Sequence, residues 1–220
     1  MKTKAHQRYR LEDGTVVPGV TTIIGNNLGW NKNALVGWAR KEALKGNDPD
    51  KVRDEAAEIG TLAHYLSIDC WLNGVEPETA DYTKNQIEKA TPCLEQFKAW
   101  WTGQEFELYK SEWQLVSTHG FGGTVDIVAR KGKEYHLIDV KTSSGVYPEM
   151  KIQLAAYREL LEEAFFFDTD YKELIGFHII QLPKTGGSFT HYQIDKETIN
   201  AGWNIFTNLL EINRLKGELN

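Results

Sequence analysis

Between residues 123 and 157 the chain reads GTVDIVARKGKEYHLIDVKTSSGVYPEMKIQLAAY, and no other stretch limits the fold as tightly. Two apolar, alternating runs flank a basic turn, Arg130-Lys131-Gly132-Lys133, which predicts two neighbouring strands. Successive side chains of a strand point to opposite faces. Asp139 and Lys141 therefore share one face of the second run, and Ile138 and Val140 share the other. With Asp126 at the Gly-rich entry of the first run, two acids and a lysine meet at the ends of adjacent strands. Burying such groups is costly unless something binds them. A divalent cation answers that need, and hard cations such as Mg²⁺ favour carboxylate, carbonyl and water oxygens.

The chain length of 220 residues suits one domain with a sizeable core. Its 41% hydrophobic and 25% charged content is ordinary for a soluble globular protein. No apolar run approaches the ~20 residues that cross a bilayer, and the first residues, MKTKAHQRYRLEDG, lack the apolar core of a secretory signal. A reduced, cytoplasmic location is expected, because Cys70 and Cys93 make neither a disulfide framework nor a zinc ligand set. The net charge of −6 argues against coating nucleic acid by bulk charge, but not against a local basic strip beside metal-binding acids.

Further elements follow in order. Asp13-Gly14 predicts a small hairpin of Tyr9-Arg10-Leu11 with Thr15-Val16-Val17. A helix follows from Val20 with a threonine as cap, and a second spans 33–45 with Leu35, Trp38, Ala39 and Ala43 on one stripe. Asp50 is placed to cap a third helix over 51–73, where Ala57, Gly60, His64, Ser67, Ile68 and Trp71 recur at helical spacing. A lone histidine on such a stripe is, on its own, an ordinary core residue. Asn73-Gly74 ends this helix. A helix over 82–101 buries Ile87, Ala90, Leu94, Phe97 and Trp101, and Pro92 should kink or split it. Its Lys84, Lys89 and Lys98 read as a solvated face before they read as phosphate contacts. Ser111–Ser117 forms a first strand, with Trp113 and Leu115 opposite Glu112, Gln114 and Val116; the glycines and His119 of HGFGG make a turn. Pro148 opens a helix with Met150, Leu154, Tyr157, Leu161 and Ala164 inward, and Gln153 and Tyr157 stacked four apart. An apolar strand over 174–182 is central, with a hairpin partner over 189–194 that places His178 and His191 in structural positions. Lys184, in the loop 183–188 between them, is a candidate contact to a DNA backbone, and an amphipathic helix over 196–216 closes the chain.

Asp126, then Asp139-Val140-Lys141, then Gln153-xxx-Tyr157, preceded by Gly60-xxx-His64, resembles the PD-(D/E)xK nuclease superfamily, nearest its RecB-like, phage-type exonucleases. Each motif is weak alone, and four in order are fairly specific. Val125 stands where the superfamily's proline would precede Asp126. The four-cysteine iron–sulfur cluster of some relatives is excluded by a count of 2 cysteines. The resemblance implies an α/β fold: a mixed central β-sheet flanked by helices, with a restriction-endonuclease-like αβββαβ core over about 106–195. Extra N-terminal helices would lie within about 1–105, and a closing helix over about 196–216.

It also implies Mg²⁺ or Mn²⁺ held by Asp126 and Asp139, with the Val140 carbonyl and His64 as further ligands and Glu112 reaching a second ion or orienting the lysine, with a structural salt bridge as the equal alternative for Glu112. Lys141 would orient or deprotonate the attacking water, or neutralise the phosphate; burial and Asp139 push its pKa in opposite directions. Gln153 and Tyr157 would contact DNA or that lysine. The expected function is a metal-dependent DNA exonuclease of recombination, repair or phage DNA processing, with DNA, a homo-oligomer or a recombination protein as partner and no membrane. A structure-specific endonuclease on the same scaffold and a non-catalytic DNA-binding module are the alternatives. An ion pair on a solvated sheet face is the plain structural account of Asp139 and Lys141.

Overall fold

The run around Asp139 becomes the middle strand of a five-stranded sheet. The computed structural model describes residues 8–166, 173–184 and 187–219. The sheet is built from β3 (Glu107–Ser117), β4 (Phe121–Lys131), β5 (Glu134–Lys141), β6 (Leu174–Gln181) and β7 (Thr190–Gln193), in that order across it. All neighbours are antiparallel except β5 and β6, which run parallel. That parallel pair needs a crossover, supplied by α5 (Pro148–Phe166). With α4 (Lys84–Thr102) before β3, the expected αβββαβ order is the order found, in a mixed α/β fold with helices flanking the sheet. The chain also carries the hairpin β1 (Tyr9–Arg10) and β2 (Val16–Val17), the helices α1 (Val20–Asn27), α2 (Lys32–Leu44) and α3 (Pro49–His64), and a closing α6 (Lys196–Glu218). No helix among the described residues is long and apolar enough to cross a membrane.

Alternation along the strands divides the core into two layers. Val125, Leu137 and Ile179 face α1, α5 and α6, where they meet Ile23, Leu154, Leu160 and Phe206. Ile127, Ile138, Val140 and Ile180 face α3 and α4, where they meet Leu62, Ile68, Ala90 and Phe97. Each such Val, Leu, Ile or Phe side chain, fully buried, contributes about 1.5–3 kcal/mol of transfer free energy.

Several local expectations are corrected. The cap of α1 is Gly19, with no side-chain bond, because Thr21 and Thr22 already lie inside the helix. Asp48, not Asp50, caps α3, accepting from the N–H groups of Asp50 and Lys51, with Pro49 in the first turn. The stripe on α2 is only half covered: Leu35 is 55% exposed and Ala43 exposed, Trp38 and Ala39 are half-buried, and the one buried residue of the helix is Glu42, held by Lys45 and Asn47. Pro92 leaves α4 unbroken, at an exposed position where its ring meets solvent. The inward side of α5 is wider than expected, adding Ile152, Ala155, Ala156 and Leu160, because α6 covers the flank that the sheet leaves open. Strand β3 begins four residues before the predicted Ser111, where Glu107 pairs with Arg130. Thr185 and Gly186 of the predicted loop lie outside the described residues.

Candidate functional site

Strands β4 and β5 are paired from Ile127↔Ile138 to Lys131↔Glu134 and part beyond that point. In the gap the Asp126 carboxylate replaces the missing ladder, Oδ2 accepting from the Val140 N–H at 2.8 Å. On β5, Lys141 Nζ donates to Asp139 Oδ1 at 2.9 Å and to Gln153 Oε1 at 3.2 Å, and Gln153 Nε2 donates to the Tyr157 hydroxyl at 2.8 Å. The period-two strand and the four-residue helical spacing thus join Asp139, Lys141, Gln153 and Tyr157 in one network. Tyr157 reaches it because Gly123 has no side chain: a Cβ there would stand 2.7 Å from the ring. Gly122 likewise seats Tyr9, whose hydroxyl bonds Thr124 Oγ1 at 3.0 Å and whose ring brings the N-terminal hairpin to the cleft wall.

The opposite wall comes from α3. Its predicted stripe divides: Ala57, Gly60 and His64 line a cleft of about 540 Å³, while Ile59, Leu62 and Ala63 enter the core. His64 Nδ1 stands 3.9 Å from Asp126 Oδ2. Ligand atoms of His64, Glu112 and Asp126 all lie within 4.8 Å of one another. Glu112 holds this place with a backbone φ of 45°, a left-handed conformation rare for a residue with a side chain. No ion pair to Glu112 occurs among the described residues. Asp139 is fully buried behind this group and turned toward Lys141; its Oδ2 is 2.7 Å from the ammonium but has no hydrogen bond of proper angle.

Electrostatics follow from the crowding of acids. Burial, with Asp126 and Asp69, pushes the Glu112 carboxyl up to about 8. Burial, reinforced by Asp126 and opposed by Lys141, pushes Asp139 up to about 6, and burial also raises Asp126 and Asp69. Burial pulls the Lys141 ammonium down, but Asp139 and Asp126 outweigh it and hold its pKa above the ordinary value. Burial and the charge of Lys141 lower His64 to about 4, so its imidazole is neutral, the form that ligates metals. Several mutually repelling carboxylates, a neutral imidazole and a buried carboxylate oxygen without a hydrogen bond make a donor set that fits a hard divalent cation. The Val140 main chain lines the same cleft.

His64, Glu112, Asp126, Val140, Lys141 and Tyr157 line this cleft; Asp139 is buried behind the His64–Glu112–Asp126 group, and Gln153, which lines a neighbouring pocket, joins through its bond to Lys141. Asp69, Tyr9, Thr142 and the amine of Lys184 also line or charge the cleft. Asp69 escaped prediction because residues 65–72, Tyr65–Leu72, continue α3 as π-helical turns. Five residues apart on an α-helix, His64 and Asp69 would be about 140° apart; the wider i→i+5 winding stacks them. The lysines of α4 make the solvated face that their spacing suggested, each paired with an acid: Lys84 with Glu88, Lys89 with Glu55 and Lys98 with Glu95. The sequence matches no model of a known protein family and no curated protein.

Proposed function

We propose that this chain is a divalent-metal-dependent nuclease that hydrolyses DNA phosphodiester bonds from strand ends. The observation that carries the reading is Lys141, hydrogen-bonded to Asp139 and Gln153 beside Asp126, His64 and Glu112 in one cleft. Asp126, Asp139 and His64, with Glu112 and the Val140 carbonyl, would hold Mg²⁺ or Mn²⁺. Such an ion supplies Lewis acidity toward water and phosphoryl oxygens. Lys141 presents ammonium N–H groups to the incoming phosphate or to the attacking water. Gln153 keeps that amine aimed, and Tyr157 fixes the orientation of the Gln153 amide. Neutral His64 remains available to donate its lone pair. Action from ends rests on the resemblance of the four motifs to RecB-like exonucleases.

The test is digestion of end-labelled single- and double-stranded DNA, and of covalently closed circles, with and without Mg²⁺. Linear DNA should shorten only with the metal, and Asp139→Ala and Lys141→Ala should lower cleavage by about 10²-fold or more while circular dichroism stays native. Retained activity in both variants would end the nuclease reading. Circles cut as fast as linear DNA would replace the exonuclease with an endonuclease.

A further inference from the structure

Two lysines stand at the C-terminal ends of the parallel strands β5 and β6, and they are partnered differently. Lys141 lies opposite Gln181, and its carbonyl accepts from the Leu182 N–H at 2.7 Å, so the chain leaving β6 stays beside the end of β5. Three residues after Gln181, Lys184 returns to the cleft over α3. Its Nζ donates to the Ala56 carbonyl at 2.8 Å and lies 3.5 Å from Thr142 Oγ1. Lys141 has Asp139; no carboxylate pairs with Lys184 among the described residues. Burial accordingly lowers the Lys184 pKa.

An ammonium carries three N–H donors. One is spent on Ala56 and one points loosely at Thr142, which leaves a donor and an unmatched charge at the wall of a cleft. A half-buried cation without a counter-charge is unfavourable until an anion arrives. The wall is also kept open at this point. A Cβ on Gly60 would stand 2.8 Å from Thr142 Oγ1, so any side chain there would intrude on that hydroxyl, and it would come into contact with Lys184 Nζ at 3.8 Å.

We propose that Lys184 and the Thr142 hydroxyl form a phosphate subsite, binding a non-bridging oxygen of a backbone phosphate adjacent to the one that is cut. This deepens the nuclease reading and rests on it for the identity of the strand. The acids occupy one part of the cleft, and Lys184 supplies the positive wall that a second phosphate needs. Lys184 thus binds and positions substrate, and takes no part in breaking the bond.

A purely structural role, tying the end of β6 to α3 through Ala56, would leave the salt dependence of binding unchanged. The test is therefore fluorescence anisotropy of a labelled single-stranded oligonucleotide over a salt series, with Ca²⁺ in place of Mg²⁺. Lys184→Met should weaken binding about tenfold or more at low salt. The slope of log K against log salt should become shallower by about 0.7, the value of one lost single-strand phosphate contact. Lys184→Arg should keep the wild-type slope. Thr142→Val, which leaves the tie to Ala56 in place, should weaken binding severalfold and serves if Lys184→Met does not fold. An unchanged slope in Lys184→Met, unchanged affinity in Thr142→Val, or no binding by the wild type overturns the subsite. A Lys184-dependent slope in a protein that degrades no DNA with Mg²⁺ sinks the nuclease reading and leaves the subsite standing; degradation with an unchanged slope does the reverse.

Discussion

Asp139 and Lys141 hold each other in opposite senses: the acid keeps the lysine charged, and the lysine restrains an acid that burial would otherwise neutralise. Removing the cation from this pair should cost transition-state stabilisation more than substrate binding. Lys141→Met is expected to lower kcat about 10²–10³-fold with a smaller change in KM, read by single-turnover cleavage. Gln153→Leu frees the amine without discharging it, and a milder loss should follow in the same assay. The acids make a second prediction. Burial and the charges of Asp126 and Asp69 push the Glu112 carboxyl up from 4.5 to about 8, and its exposure to solvent at the open side of the cleft tempers the shift. Across that interval the folded chain binds a proton that the unfolded chain has released, so stability present below pH 4.5 is lost as pH rises through 8. A divalent ion replaces that proton. The gain in Tm on adding Ca²⁺ should therefore grow from about pH 5 to about pH 8, and Glu112→Gln should flatten the ion-free slope and shrink the gain. Melting curves with and without Ca²⁺ check both. These residues were legible because strand and helix periods are local rules: two apart on β5, four apart on α5. Lys184 was legible as a backbone-contact candidate from its loop, whereas Tyr9 was not, since only tertiary packing brings the N-terminal hairpin to the same wall.

Among the elements, the π-helical end of α3 shows where local reading stops. Its composition, YLSIDCWL, is as compatible with α-winding; the π-helical turns bury Leu66, Ser67 and Ile68, with Leu66 and Ile68 in the layer under β4 and β5. The half-covered stripe of α2 illustrates the same limit from the other side. Leu35 recurs at helical spacing with Trp38, but periodicity specifies a face without supplying anything to cover it. The hairpin, the crossover helix and the Gly74 stop, at φ +74°, were legible because turn chemistry fixes them locally. Pro92 gives this scale its prediction. The helix passes through it, so the Glu88 carbonyl lacks the N–H that would close its turn. Because the surroundings are exposed, Pro92→Ala should restore that bond without creating a cavity, at the cost of a looser unfolded chain. A net gain of about 1–2 kcal/mol, read as a Tm rise of several degrees, is expected; a fall in Tm would mean that the proline packs as part of the fold.

At the scale of the whole molecule, the sheet separates a layer that carries the chemistry of α5 from a layer under α4, and the second contains a row of three histidines. Trp100 Nε1 donates to His191 Nδ1 at 3.3 Å, which leaves the His191 proton on Nε2. His191 Nε2 lies 2.9 Å from His178 Nδ1, and His178 Nε2 lies 2.9 Å from His136 Nδ1, so the same tautomer repeats along the row. The row ends at a buried His136 Nε2 that has no hydrogen bond, with Glu134 Oε2 4.0 Å away. It ties β5, β6 and β7 to α4, and it works only while every ring is neutral, since a protonated ring has no acceptor to offer. Burial lowers all three, His178 to about 3, where the charges of His191 and His136 add to the effect. The unfolded chain takes up these protons near pH 6.5 and the folded chain does not. Stability fully present above pH 6.5 is therefore lost as pH falls toward 3. Raised acids such as Glu112 and Asp139 act in the opposite sense over this range, so the histidine limb is read as a difference: in urea unfolding, the stability gap between the wild type and His178→Phe should narrow as pH falls from about 6.5 to 4. His178→Phe should be less stable than the wild type at neutral pH, because His136 and His191 lose their partners, yet its stability should fall less steeply with acid. A variant whose acid limb matched the wild type would locate the proton uptake elsewhere in the molecule.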